Sequence, residues 1–359
     1  MLNYLKNATK VILYYGGYYR FRSYLATHNS KRLLMLMYHD FAPDSILDKE
    51  IQPLQEMITA NQFETHLKVI KEHYRIITVE KAVEEIKYGG GLKENSVALT
   101  IDDGYASTYD IVFPLLRKYE CAATVYIPTD WINGKMTFWW DDLADMVQAS
   151  DLVKIDLKNI IRLLGDNFFR QLKKPSDEYS TKVDLYEQIS FAMMQLPDGK
   201  LGETMTAVKK LLLGTADYEK TDHRSLSWNQ IKEMADYGVN FGGHTCSHIN
   251  LSQSDKKTIE QEIIVSKTEI ESKLGKKIKG FAYPYGYDPL AYESLIPFLK
   301  EQGFEYACTS WWGNNRDDTN PYLLLRNSLP LILSPYLLGR ELHINMAENE
   351  PPPFTNNND

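Results

Sequence analysis

The side chains best suited to act together on a substrate fall in three short clusters far apart along the chain. They are Thr100-Ile101-Asp102-Asp103-Gly104, Gly243-His244-Thr245-Cys246-Ser247-His248 and Phe281-Ala282-Tyr283-Pro284-Tyr285-Gly286. His244 and His248 are four residues apart, so a single helical turn would aim both imidazoles at one divalent ion. A carboxylate from elsewhere would make three protein ligands and leave positions open for water and substrate, as in a catalytic rather than a structural ion site. Taken singly, each cluster has a plainer explanation. Histidine pairs are more often structural, and Asp-Asp-Gly is also a turn whose Asp caps the next helix. Cys246 falls off the histidine face by helical phase and reads as filler.

Elements that could bring the clusters together are legible around them. Apolar runs at Leu33–Tyr38, Val97–Ile101, Ala122–Ile127, Val239–Gly242, Ile278–Ala282 and Glu305–Thr309 read as buried strands. Helical spacing separates them: Phe63, Leu67, Ile70 and Tyr74; Val79–Tyr88 before Gly89-Gly90-Gly91; Ile111–Tyr119; Ser227–Tyr237, with Ser227 and Gln230 spaced as a capping box; Thr258–Leu274, stopped by Gly275; and Pro289–Gln302, opened by Asp288 and closed by Gly303. Alternating strands and helices argue for a parallel sheet or barrel, where reactive groups gather at the C-terminal strand ends. All three clusters sit at such ends. Residues 131–224 lack strand patterns and read as a helical insertion. Its opening, Phe138-Trp139-Trp140-Asp141-Asp142, is either a sugar-stacking wall or a packing anchor. The tail, 348–359, has a composition that buries little and reads as disordered.

In this order, each behind its own strand, the clusters resemble the polysaccharide deacetylase family, carbohydrate esterase family 4 or the NodB homology domain, of the type found in exopolysaccharide clusters. The family's T-F-D-D-G motif is matched by Thr100 to Gly104 with Ile101 for Phe, and its H-[ST]-x-x-H motif by His244 to His248; the resemblance runs from about Leu33 to Leu331. It implies an α/β fold, a distorted (β/α) barrel of the NodB type carrying the helical insertion, over residues 31–347. It implies that Asp103, His244 and His248 hold one divalent metal ion and that Asp102 is the general base. With these donors zinc is the default, and cobalt or nickel also suit them. The reaction implied is hydrolysis of an N-acetyl group on a sugar to acetate and free amine.

The third motif, R-x-P-Y, is broken: Ala282-Tyr283-Pro284-Tyr285 lacks the Arg that orients the catalytic Asp. Arg326 is the candidate to replace that charge, a structural Arg being the alternative. Tyr285 would lend its backbone N–H to the oxyanion. Trp312, after the last strand, would be the groove aromatic, or else a hydrophobic lid. Leu342-His343 is the nearest analogue of the element that gives the general acid, and His39 is the rival acid or a substrate contact. Two rival readings stay open: a carbohydrate-binding protein that keeps metal but has lost catalysis, suggested by the missing Arg, and an O-acetyl esterase.

Bulk properties agree with an enzyme. The 359 residues carry a net charge of −8, which argues against a nucleic-acid partner, and three cysteines without a close pair fit a reducing compartment. The sequence has no apolar run long enough to span a bilayer and no signal-peptide pattern. Residues 1–30 interleave Lys6, Lys10, Arg20 and Arg22 with Tyr14, Tyr15, Tyr18, Tyr19, Phe21 and Tyr24. They read as an amphipathic helix packed on the domain, with peripheral membrane contact as the alternative. The expected setting is the cytoplasm or the inner membrane face, with an N-acetylated glycan or its nucleotide- or lipid-linked precursor as substrate.

Overall fold

A computed structural model describes residues 2–48, 57–151, 157–164, 178–196, 198–286, 292–329 and 334–348. The start expected for the helix at Pro289, and the tail after Glu348, lie outside the described residues. The main sheet follows chain order through β1 (Leu33–Tyr38), β2 (Ser96–Ile101), β3 (Thr124–Ile127), β4 (Asn240–Gly243), β5 (Gly280–Ala282) and β6 (Tyr306–Cys308). All the pairings are parallel. A two-residue strand, Arg75–Ile76, pairs with Ser96 and Val97 of β2, while β3 pairs with that strand higher up, at Thr100 and Ile101.

Alternation along the strands shows how the sheet curls. Leu34, Leu36, Val97, Leu99, Val125, Phe241, Phe281 and Ala307 belong to one buried cluster with the surrounding helices. The alternate residues Leu33, Met35, Ala98, Tyr126, Ala282, Tyr306 and Cys308 gather in a second cluster, so side chains from both ends of the sheet meet inside it. Space there is tight. A Cβ on Gly242 would come within 2.5 Å of the Tyr126 ring, and one on Gly280 within 2.3 Å of Tyr306.

The ring is closed by residues 324–327, which bridge β6 and β1 by backbone hydrogen bonds. Leu324 N–H donates to Ala307 O, Thr309 N–H to Leu324 O, Met37 N–H to Asn327 O and Asn327 N–H to Met35 O. Leu324 packs in the inner cluster. Arg326, two residues on, points the same way. The architecture is the expected distorted (β/α) barrel.

Local chemistry sets the helices where the sequence indicates. Thr59 with Gln62, and Ser227 with Gln230, form reciprocal capping boxes at the starts of Ala60–His73 and Trp228–Tyr237. Lys256–Leu274 starts on the Asp255 side chain and ends at left-handed Gly275. The helix expected from Ile111 begins earlier, with a π-turn over Thr108–Val112. Helices Trp139–Ala149, Leu157–Leu164, Glu178–Met194 and Asp198–Leu213 occupy the inserted region and have a core of their own, including Leu143, Val147, Ile160, Ile189 and Val208.

Candidate active site

Period-two alternation carries Met37 and His39 from β1, Asp102 from β2, His244 from β4 and Ser310 from β6 to the inner side at the C-terminal strand ends. All five line one open cavity of about 230 Å³. Asp103 would point outward under strict alternation. Its backbone is left-handed, with φ 70°, and this turns the carboxylate back inward. Thr245 at 64°, His248 at 56° and Tyr285 at 63° share that unusual conformation, so among the described residues four of the five non-glycine residues with positive φ gather around this cavity, Glu120 being the exception.

The two histidines converge, though not on a helical turn as the spacing suggested. Residues 244–248 form a bent loop, and the left-handed Thr245 and His248 swing both rings to one side. The His244 and His248 Nε2 atoms lie 3.6 and 3.4 Å from Asp103 Oδ1. The loop is clasped from outside. Glu262, on helix Lys256–Leu274, accepts from the Cys246 and Ser247 backbone N–H groups at 2.8 and 2.9 Å and from the Ser247 hydroxyl at 2.9 Å. Asp130 N–H donates to Cys246 O. The Cys246 thiol donates to Glu262 O, outside the cluster, as its filler role requires.

Asp103, His244 and His248 form a donor set within 4.8 Å, and their environment suits a cation. Asp103 Oδ1 is buried without a hydrogen-bond partner. His244 Nδ1 donates to Ala282 O at 2.7 Å, which leaves its Nε2 lone pair facing the cluster. Burial lowers the His244 pKa to about 4 and pushes that of His248 well below the usual imidazole value, so both rings are neutral at neutral pH. Burial, with the neighbouring Asp102 and Asp141 charges, raises the Asp103 pKa, the response of a carboxylate that lacks a counter-charge.

Asp102 has the opposite environment. Arg326 grips it in a fork, Nη1 to Oδ1 and Nη2 to Oδ2, both at 2.7 Å. The guanidinium is itself 1% exposed and donates through Nε to Thr309 O at 2.7 Å. Burial opposes the Asp102 charge, but Arg326 outweighs it and the pKa falls to about 2. The cation missing from the third cluster thus arrives on the segment that closes the ring.

An aromatic wall stands over the cluster. Trp140 and Tyr285 meet His248 edge-on, each with ring centroids at 5.0 Å, and Phe138 stacks behind Trp140 at 4.3 Å. Trp140 Nε1 donates to the Tyr105 hydroxyl, which donates to buried Asp141. Trp140 and Met194 come from the insertion, so that region supplies part of the cavity wall. In the Phe138 segment, buried Phe138 is a packing anchor, and half-buried Trp140 packs on it and lines the cavity.

Two sequence candidates lie elsewhere. His343 is not in this cavity. It sits on helix Pro335–Ala347, its Nδ1 paired at 2.6 Å with the Tyr74 hydroxyl, and lines a separate cavity with Tyr14, Arg20 and His73. That helix packs against helices Tyr18–Thr27 and Ala60–His73, which fixes His343 on their side. Trp312 is half-buried and does not line the site, because the chain after Ser310 leaves the cavity to run along the ring-closing segment. His39 does line it and is exposed there. Sequence reasoning missed Tyr105 and Glu262. Tyr105 directly follows Gly104 and could have been noticed; Glu262 lies mid-helix and carries no local signal.

Comparisons with known proteins agree with this geometry. The sequence model for "Polysaccharide deacetylase" matches residues 89–155 and 200–307, and the gap falls inside the helical insertion. YxkH of Bacillus subtilis (strain 168), named for the same family, is 23% identical over 190 residues, 52% of this chain and 64% of its own length. The Streptococcus pyogenes deacetylase PplD, solved with acetate, superposes with a TM-score of 0.56 at 17% identity, covering 90% of this chain and all of that one. A de-N-acetylase from Aggregatibacter actinomycetemcomitans gives 0.51 at 17% identity, covering 85% and 97%, and IcaB from Ammonifex degensii gives 0.50 at 18%, covering 89% and 98%. These structural likenesses establish a shared fold. With the two matching motifs, the family match and the common architecture together, the chain belongs to the polysaccharide deacetylase family.

Proposed function

We propose that this protein is a metal-dependent hydrolase that removes the acetyl group from an N-acetylated sugar of a glycan or glycan precursor, releasing acetate and a free amine. The observation that carries the reading is the pairing, in one open cavity, of an Arg-locked carboxylate with two neutral imidazoles and a carboxylate whose buried Oδ1 has no hydrogen-bond partner. Deacetylase and de-N-acetylase relatives of the same fold support it.

Asp103, His244 and His248 would hold the ion. Because Asp102 titrates near 2 it is a weak base, and the ion, zinc by default with cobalt or nickel also suited, would acidify the attacking water and polarise the acetyl carbonyl. Asp102, oriented by Arg326, takes the proton as the water oxygen bonds to the acetyl carbon. His39, which lines the same cavity, would give a proton to the sugar nitrogen as the C–N bond breaks; burial lowers its pKa, so this role needs the imidazole to gain its proton when substrate is bound. The Tyr285 turn, strained at φ 63°, would offer its backbone N–H to the developing oxyanion. Trp140 supplies a face for a sugar ring. In this reading residues 31–347 form the catalytic domain, 131–224 an insertion that builds one wall, and 1–30 an appended segment.

The Arg326–Asp102 fork supports hydrolysis over the binding-only alternative, which rests on the missing third-motif arginine. The test is acetate release from N-acetylhexosamine oligomers beside O-acetylated glycans, with and without chelator, for wild type and Asp103→Ala. Release from N-acetyl substrates that both treatments abolish is expected; release insensitive to both would reject the proposal, and release from O-acetyl substrates alone would make the protein an esterase.

A further inference from the structure

Asp40 follows His39 just beyond the end of β1 and lines the same cavity. Only one of its carboxylate oxygens is occupied. Oδ1 accepts from the Phe41 backbone N–H at 2.7 Å and from the hydroxyl of Ser107, on the segment after β2, at 2.5 Å. Oδ2 has no donor among the described residues and is not sealed in the interior. A tie between β1 and the segment after β2 needs the first oxygen alone, which leaves the second for whatever enters the cavity.

No cation on the wall neutralises it. The described residues that line the cavity include three carboxylates, Asp40, Asp102 and Asp103, and no lysine or arginine. Arg326 neutralises Asp102, and in the reading above the ion neutralises Asp103. Burial raises the Asp40 pKa, while the Ser107 and Phe41 bonds and the nearby His223 favour its charged form. Asp40 is thus the carboxylate here whose charge is left for the substrate. An acceptor of this kind is costly to cover with a bound ligand unless the ligand brings a donor. A sugar hydroxyl brings one, whereas phosphate, sulfate and uronate oxygens would meet like charge.

We propose that Asp40 is a specificity-determining residue, whose Oδ2 accepts a hydrogen bond from one hydroxyl of the N-acetylated sugar in the cavity. The inference rests on the function proposed above and narrows its substrate. Glycans whose ring keeps that hydroxyl free are accepted, and sugars that carry phosphate, sulfate or an acyl group there are refused.

The test is a substrate-and-residue cycle with N-acetylglucosamine trimers, intact or carrying a deoxy or an O-sulfo group at one hydroxyl position at a time. Wild type, Asp40→Asn and Ser107→Ala are compared, with dissociation constants from titration calorimetry and KM and kcat from acetate release. Loss of one particular hydroxyl should weaken binding to wild type by about 10–100-fold and to Asp40→Asn by less than about threefold, because the variant has no charged acceptor left to strand. A sulfate at that position should be refused by wild type and better tolerated by Asp40→Asn. Ser107→Ala loosens only the Oδ1 tie and should keep the hydroxyl requirement whatever its melting temperature. Equal losses in wild type and Asp40→Asn at every position, or a wild-type affinity indifferent to every deoxy group, would overturn the proposal. Trimers that bind with the expected pattern yet release no acetate would uphold the role of Asp40 and sink the hydrolase reading instead.

Discussion

Replacing Arg326 with Met tests whether a late-arriving cation governs the catalytic carboxylate. Asp102 is 2% exposed and both of its oxygens are taken by the guanidinium, so the variant leaves a buried, unpaired charge. Breaking such a pair from one side costs about 3–5 kcal/mol. With an unfolding entropy of about 2 cal/mol/K per residue, the melting temperature of a chain this long should fall by about 4–7 °C. Asp102→Asn in the same background removes the stranded charge, so the double variant should recover about 2–3 kcal/mol relative to additivity. Arg326→Lys should fall between, since an ammonium cannot reproduce the two-pronged contact. Acetate release should drop by about 10²-fold or more in Arg326→Met, because the base loses both its orientation and its fixed ionisation. Urea titration beside the activity assay reads both effects. A stability change below about 1 kcal/mol with activity retained would refute the argument.

His39→Asn should lower kcat by about 10²–10⁴-fold with bound metal unchanged by elemental analysis, whereas His343→Asn should stay within about threefold; the reverse pattern would return the acid role to His343. Trp140→Ala should raise KM by about 2–12-fold, the equivalent of one lost ring contact, and Trp312→Ala by less than about twofold. Gly280→Ala would drive a methyl to within 2.3 Å of Tyr306 inside the ring and should cost about 1–3 kcal/mol in denaturant unfolding without altering the metal content of the folded fraction.

Strands and caps were readable because their signals are local. Leu33–Tyr38 is a continuous apolar run with Asp102 and His39 just beyond the ends of their strands, and Ser227 announces its helix through Gln230 three residues later. Arg326 was legible only by a deficit: the third cluster lacked a cation that the chemistry wants. Trp312 and His343 misled for the same physical reason. A place after the last strand, for Trp312, and a Leu-His pair, for His343, say nothing about which side of the chain faces the cavity, and His343 pairs with the Tyr74 hydroxyl instead. The histidine loop shows a subtler limit. A spacing of four fits a helical turn, but the rings converge through left-handed backbone at Thr245 and His248, a strain held by Glu262 and invisible to periodicity.

The ring-closing segment also ties the timing of chemistry to the completion of the polypeptide. Arg326 follows Asp102 by 224 positions, so synthesis delivers both carboxylates and both imidazoles well before their neutralising partner. Until residues 324–327 zip between β6 and β1, Asp102 lacks the guanidinium that holds both of its oxygens. On the proposed mechanism, a chain that stops short of residues 324–327 lacks the partner of its general base and should release no acetate until that seam forms.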